Sequence, residues 1–99
     1  MATVMRAWQA PVGAWTQVYG PATLVNEEIE IQNDGNCPVL VNVGTGGPVI
    51  GSPALVMQPG EHRDFTGMAI GDVVSVMPVY PSGVAVPLPA QNVTVWSDV

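Results

Sequence analysis

Ninety-nine residues, 47% of them hydrophobic and only 10% charged, allow a single domain that buries roughly 60–70% of the surface its unfolded chain exposes. The net charge is -6, Arg6 and Arg63 are the two basic residues, and lysine is absent. Nucleic acid is therefore excluded as an expected partner, because its phosphates call for clustered Lys and Arg, and no run of about 20 apolar residues offers a membrane span.

Eleven glycines and ten prolines break the chain at short intervals, and the i, i+3, i+4 apolar spacing of a helix is almost absent. The pattern predicts an all-β fold. Residues 1–22 stand apart from 23–99. They hold Trp8, Trp15 and Tyr19 on a backbone interrupted by Pro11, Gly13, Gly20 and Pro21. Two alternatives follow: an N-terminal arm whose rigid aromatic anchors lie on a neighbouring subunit, or an opening strand whose aromatics plug one end of the core. The same segment lacks the apolar core of about 7–15 residues that marks a signal peptide, so synthesis in the cytoplasm without export by that route is expected.

Strands are predicted at Thr23–Gln32, Cys37–Val43, Ala54–Met57, His62–Thr66, Asp72–Tyr80, Val84–Val86 and Asn92–Ser97. The stretch EIEIQNDGNCPVLVNV (28–43) reads as a hairpin. Ile29 and Ile31 alternate with Glu28 and Glu30, Asp34-Gly35 suits a type I′ turn, and Val39, Val41 and Val43 return on the core face. Leu40 then falls on the side of the glutamates, so a hairpin face or edge here calls for cover by another chain or by the N-terminal segment. GTGGP (44–48) is too glycine-rich for a strand and predicts a mobile loop. Pro59-Gly60 suits a type II turn, and VYPSGVAV (79–86) another turn. Short strands between such turns fit a compact antiparallel β-sandwich or jelly-roll-like barrel, since a parallel sheet needs helical crossovers.

The residues that carry chemistry are few. His62, beside Asp64 in EHRDF, has the spacing of a base and its orienting carboxylate, but Ser52, Ser75, Ser82 and Ser97 lie in no nucleophile-elbow pattern. A charged strand end is the simpler reading, and no catalytic residue is assigned. Glu27, Glu28, Glu30 and Asp34 form the densest acidic patch without a calcium-loop spacing, and no metal or cofactor site is expected. Cys37, the single cysteine, reads as an inert buried thiol. Asn92-Val93-Thr94 fits a glycosylation sequon but is read as chance strand sequence.

At IEIQNDGNCPVLVNVG, then PALVMQPGEHRDF, then GDVVSVMPV, the order of signals resembles small accessory proteins of tailed-bacteriophage virions. Ile31-Gln32-Asn33, Pro38-Val39-Leu40-Val41 and Val56-Met57-Gln58-Pro59-Gly60-Glu61 carry the likeness, which spans about residues 24–80. The resemblance implies a non-enzymatic β-sandwich of the virion, a decoration or cement protein that binds the major capsid protein or another virion protein. It also implies a homo-oligomer, often a trimer at symmetry axes. The alternative is a tail, fibre or baseplate module that recognises a host-surface glycan. Trp8, Trp15, Tyr19 and Leu40 are the expected partner-binding residues. Trp8, Trp15 and Trp96 gathered in one groove would favour the glycan module, and their distribution would favour cement.

Overall fold

The computed structural model describes residues 4–23, 25–48, 53–80 and 88–97. These residues contain eight strands: β1 (Val4–Ala10), β2 (Thr16–Tyr19), β3 (Glu27–Asn33), β4 (Val39–Thr45), β5 (Leu55–Met57), β6 (His62–Met68), β7 (Asp72–Pro78) and β8 (Gln91–Ser97). They form two antiparallel four-stranded sheets, sheet A in the order β1-β8-β3-β6 and sheet B in the order β2-β7-β4-β5. This is the all-β sandwich that the short strands and turns predict. The Val84–Val86 strand expectation lies outside the described residues, as does most of the 79–86 turn.

Period-two alternation builds the core. Ile29 and Ile31 of β3 with Val93 and Val95 of β8 face Val39 and Val41 of β4 with Val74 and Val76 of β7, all almost fully buried. Cys37 is buried as well. Of the two alternatives for residues 1–22, the described part takes the form of opening strands. Strand β1 pairs with β8 at one edge of sheet A, β2 pairs with β7 at one edge of sheet B, and Ala10 and Val18 enter the core.

The 28–43 hairpin is not formed. Its two arms belong to different sheets, and their aliphatic faces meet across the sandwich instead of lying side by side. A local alternation pattern is identical in the two arrangements, because each only requires apolar residues on one face. The turn chemistry differs too: Gly35 does not take a positive φ. It is a glycine because a Cβ there would stand 2.6 Å from Gln91 Oε1 and 2.9 Å from Gln91 Cβ. Gln91 is buried and uses that closeness, its Oε1 accepting the Asn36 N–H at 2.6 Å.

Asn33 ties the sheets together. Its Nδ2 donates to the Cys37 carbonyl at 2.8 Å and the Met57 carbonyl at 3.1 Å, and its Oδ1 accepts the Gly35 N–H at 3.0 Å. Its backbone exchanges bonds with the returning link, Gly60 N–H to Asn33 C=O at 2.7 Å and Asn33 N–H to Glu61 C=O at 3.0 Å. Gly60, at φ 82°, fills the Pro59-Gly60 type II turn, closed by Glu61 N–H on Gln58 C=O at 3.0 Å. The glycine-rich 44–48 segment departs from its expectation in part: Gly44 and Thr45 extend β4 and pair with Val73 and Asp72, while Gly46, Gly47 and Pro48 lie outside the strands.

Two outcomes follow from this frame. Asn33→Ala leaves two carbonyls and one N–H of the inter-sheet link without their side-chain partner, and the cost should be about 3 kcal/mol, seen as a lower urea midpoint with unchanged slope. Removing residues 1–20 strips an edge strand from each sheet and takes Ala10 and Val18 from the core, so the truncated chain should lose cooperative thermal unfolding by circular dichroism. A truncated chain that keeps a sharp transition would mean that the two sheets stand without their opening strands.

Candidate functional site

The two outer faces of the sandwich differ chemically. On sheet A, Glu30 lies between Trp96 and Asp64, and Gln32 lies between Thr94 and His62. On sheet B, Leu40 lies between Val56 and Met77, and Asn42 and Gln17 flank Ser75. Among the described strand residues, the outward positions of sheet B carry no charged side chain. Leu40 therefore never shares a face with Glu28 and Glu30, and the question raised by their apparent mismatch dissolves.

Leu40 also lies away from any edge, because β4 has β5 on one side and β7 on the other. The expectation of an uncovered hairpin edge at Leu40 is corrected accordingly. What remains is a face. Leu40 and Met77 are half-buried and Val56 is 45% exposed, forming an apolar row across three strands. Trp15, half-buried, enters β2 one residue before the Thr16–Val76 pair, at the level of Met77.

The other expected partner-binding residues are held elsewhere. Trp8 of β1 and Tyr19 of β2 pack against the core from the open edge of the sandwich, and the Tyr19 hydroxyl donates to the Glu27 carboxylate. Between these edge strands lies a cleft of about 230 Å³, lined by Arg6, Trp8, Tyr19, Gln17, Val95 and Ser97 among others. Small-molecule sites usually measure about 300–1,000 Å³, so the cleft is undersized for one. Trp8 stands opposite Val93 on the inner face of sheet A and Trp96 stands on its outer face, so the three tryptophans do not share a groove.

In the sequence His62 with Asp64 reads as one feature and the acidic patch of Glu27, Glu28, Glu30 and Asp34 as another. Pairing of β3 with β6 merges them. His62 Nε2 lies 3.4 Å from Glu30 Oε2 and 3.9 Å from Asp64 Oδ1, and one ligating atom from each of the three lies within 4.8 Å of the others. Trp96 reaches over β3 so that its ring meets the His62 ring at 5.7 Å, edge to face at 66°. A recess of about 50 Å³ beside them is lined by Glu28, Ile29, Glu30 and Asp64. The serine required by a hydrolase is not beside His62 among the described residues, since Ser75 belongs to sheet B and Ser97 faces inward on β8. Glu61 is engaged separately. The Gln58 backbone N–H and then the Arg63 guanidinium hold its carboxyl below the ordinary carboxylate range.

No family model, curated protein or solved structure matches the chain.

Arg6 and Arg63 occupy equivalent places. Each sits on an edge strand of sheet A, opposite a buried aliphatic residue, Val95 for Arg6 and Ile31 for Arg63. A charge at an inward position of an edge strand opposes the docking of another strand, which would bury it. Arg6→Val should therefore raise self-association at equal concentration, read by light scattering and thioflavin binding. An unchanged association state would separate Arg6 from edge protection.

Proposed function

We propose that this chain is a non-enzymatic structural protein of a virion, a capsid decoration protein that lays the uncharged outer face of sheet B on the head shell and leaves the acidic outer face of sheet A in water. The observation that carries the reading is the chemical difference between the two faces. An apolar row of Val56, Leu40 and Met77 on a rigid sheet, with Trp15 at its margin, gives a partner area to bury without a charge to desolvate. Fully burying a leucine is favourable by about 1.5–3 kcal/mol relative to leaving it in water, so completing the burial of Leu40 and Val56 is a useful driving force. Exposed Met5, Val25, Ile70 and Tyr80 add apolar area elsewhere. The separation of Trp8, Trp15 and Trp96 weighs against the glycan-binding module, which needs stacking platforms side by side.

Virus particles purified on density gradients from the source of this sequence should contain the chain at a fixed ratio to the major capsid protein by quantitative mass spectrometry. Leu40→Asp should keep the β-sheet circular dichroism signal, because Val39 and Val41 carry the core side of the strand, while co-sedimentation with shells that lack the protein falls at least about tenfold as a carboxylate is buried without a partner. Undiminished co-sedimentation of a folded variant would remove the sheet B face from the contact. Binding to a glycan array with no affinity for shells would replace the decoration reading by the tail or fibre module.

A further inference from the structure

We propose that Glu30, His62 and Asp64 form a binding site for a divalent transition-metal ion, zinc being the best match, on the outer face of sheet A. This inference is independent of the decoration role, which uses the opposite face. One imidazole nitrogen and two carboxylates are the donor types that zinc and its neighbours accept. The spacing suits them as well. Two donors at zinc distance in a tetrahedral shell stand about 3.3 Å apart, and His62 Nε2 lies 3.4 Å from Glu30 Oε2 and 3.9 Å from Asp64 Oδ1. Small rotations of these exposed or half-exposed side chains bring all three donors onto one ion.

The backbone holds the donors in place. Glu30 and Asp64 are direct cross-strand partners, and His62 stands opposite Gln32, one outward position along, so the triad spans the ladder between β3 and its edge neighbour β6. Packing of the His62 ring against the Trp96 ring restricts the imidazole and leaves Nε2 on the carboxylate side. The recess lined by Glu28, Glu30 and Asp64 lies beside the triad, giving space for the water that completes an open coordination shell. Competing cations are scarce. The chain has no lysine, and Arg63, the nearest basic residue in sequence, is bound to Glu61.

An ion at this position would link edge strand β6 to its single sheet partner β3, so binding should be visible as stabilisation as well as affinity. The competing account is a proton. A protonated His62 bridging two carboxylates gives the same distances with no metal at all.

The test uses the full chain after chelator treatment. Zinc titrated by calorimetry should bind one to one in the micromolar range, and saturation should raise the melting temperature by about 5 °C or more. Magnesium and calcium should do neither, since imidazole selects the borderline metals. Cobalt(II) or copper(II) should quench the fluorescence of Trp96, and Trp96→Phe should remove that component of the quench while zinc still binds. His62→Gln and Glu30→Gln each delete a donor at an exposed or half-exposed position and should keep the fold. Both should weaken zinc by at least about tenfold, given that loss of an outer-shell partner alone typically costs 10–100-fold. Zinc affinity weaker than about 1 mM overturns the proposal in favour of the protonated bridge. Tight binding unchanged in both folded variants also overturns it, by placing the ion elsewhere on the chain.

Discussion

The side-chain amide of Asn33 is the interaction on which the rest of this sandwich depends. It is a buried polar group at the end of a mostly aliphatic interior, and burial of an amide is tolerated only when its hydrogen-bonding groups are matched. Here Nδ2 reaches carbonyls of the 34–38 link and of β5, while the backbone of the same residue binds the 58–61 link. Valine and isoleucine packing is non-directional, so it favours closure of the two sheets without specifying where they stop relative to each other. Three directional bonds from one side chain specify it, and they do so at the end where the chain crosses between sheets on both the outward and the return path.

That crossing explains which parts of the fold were legible. Strand positions for β3 through β8 follow from alternation and from Gly and Pro placement, because those signals act within a few residues. Pairing partners do not. Ile29 and Ile31 with Val39 and Val41 give the same pattern whether the two strands share a sheet or face each other across a core, and the Asp34-Gly35 dipeptide tilts the reading toward a hairpin. The deciding contact is with Gln91, far along the chain, whose side chain fills the space where a residue other than glycine would carry its Cβ. Likewise, β1 and β2 carry too few clean alternations to be told from an arm. Their strand character comes from β8 and β7, which supply the hydrogen-bonding partners.

Charge is distributed with the same economy. The only two cations in the chain are spent on the two exposed edges of sheet A, at inward positions where a docking strand would trap them. Sheet B has no charge on its edges and relies on brevity: β2 has four residues with a register shift, and β5 has three. One consequence is that the carboxylates on the outer face of sheet A have His62, and neither arginine, among their outward neighbours. The other is that sheet B carries no charge at the outward positions of its described strand residues, and an uncharged sheet face costs less to desolvate against a partner.

Neither outward feature has a local signature, because both are assembled by register. A one-residue slip of β6 along β3 would send His62 and Asp64 toward the interior and turn Arg63 outward, since successive side chains alternate faces. What prevents the slip is again Asn33. Its carbonyl accepts from Gly60 and its N–H donates to Glu61, directly ahead of the Gln32–His62 pair, while the irregularity between Glu27 and Ile29 absorbs the mismatch at the far end of the ladder. The residue that sets the distance between the sheets therefore also sets which side chains of β6 meet Glu30. In this chain the polar triad and the inter-sheet clamp are two results of one backbone constraint, and a change that loosens Asn33 disperses the triad without touching any of its three members.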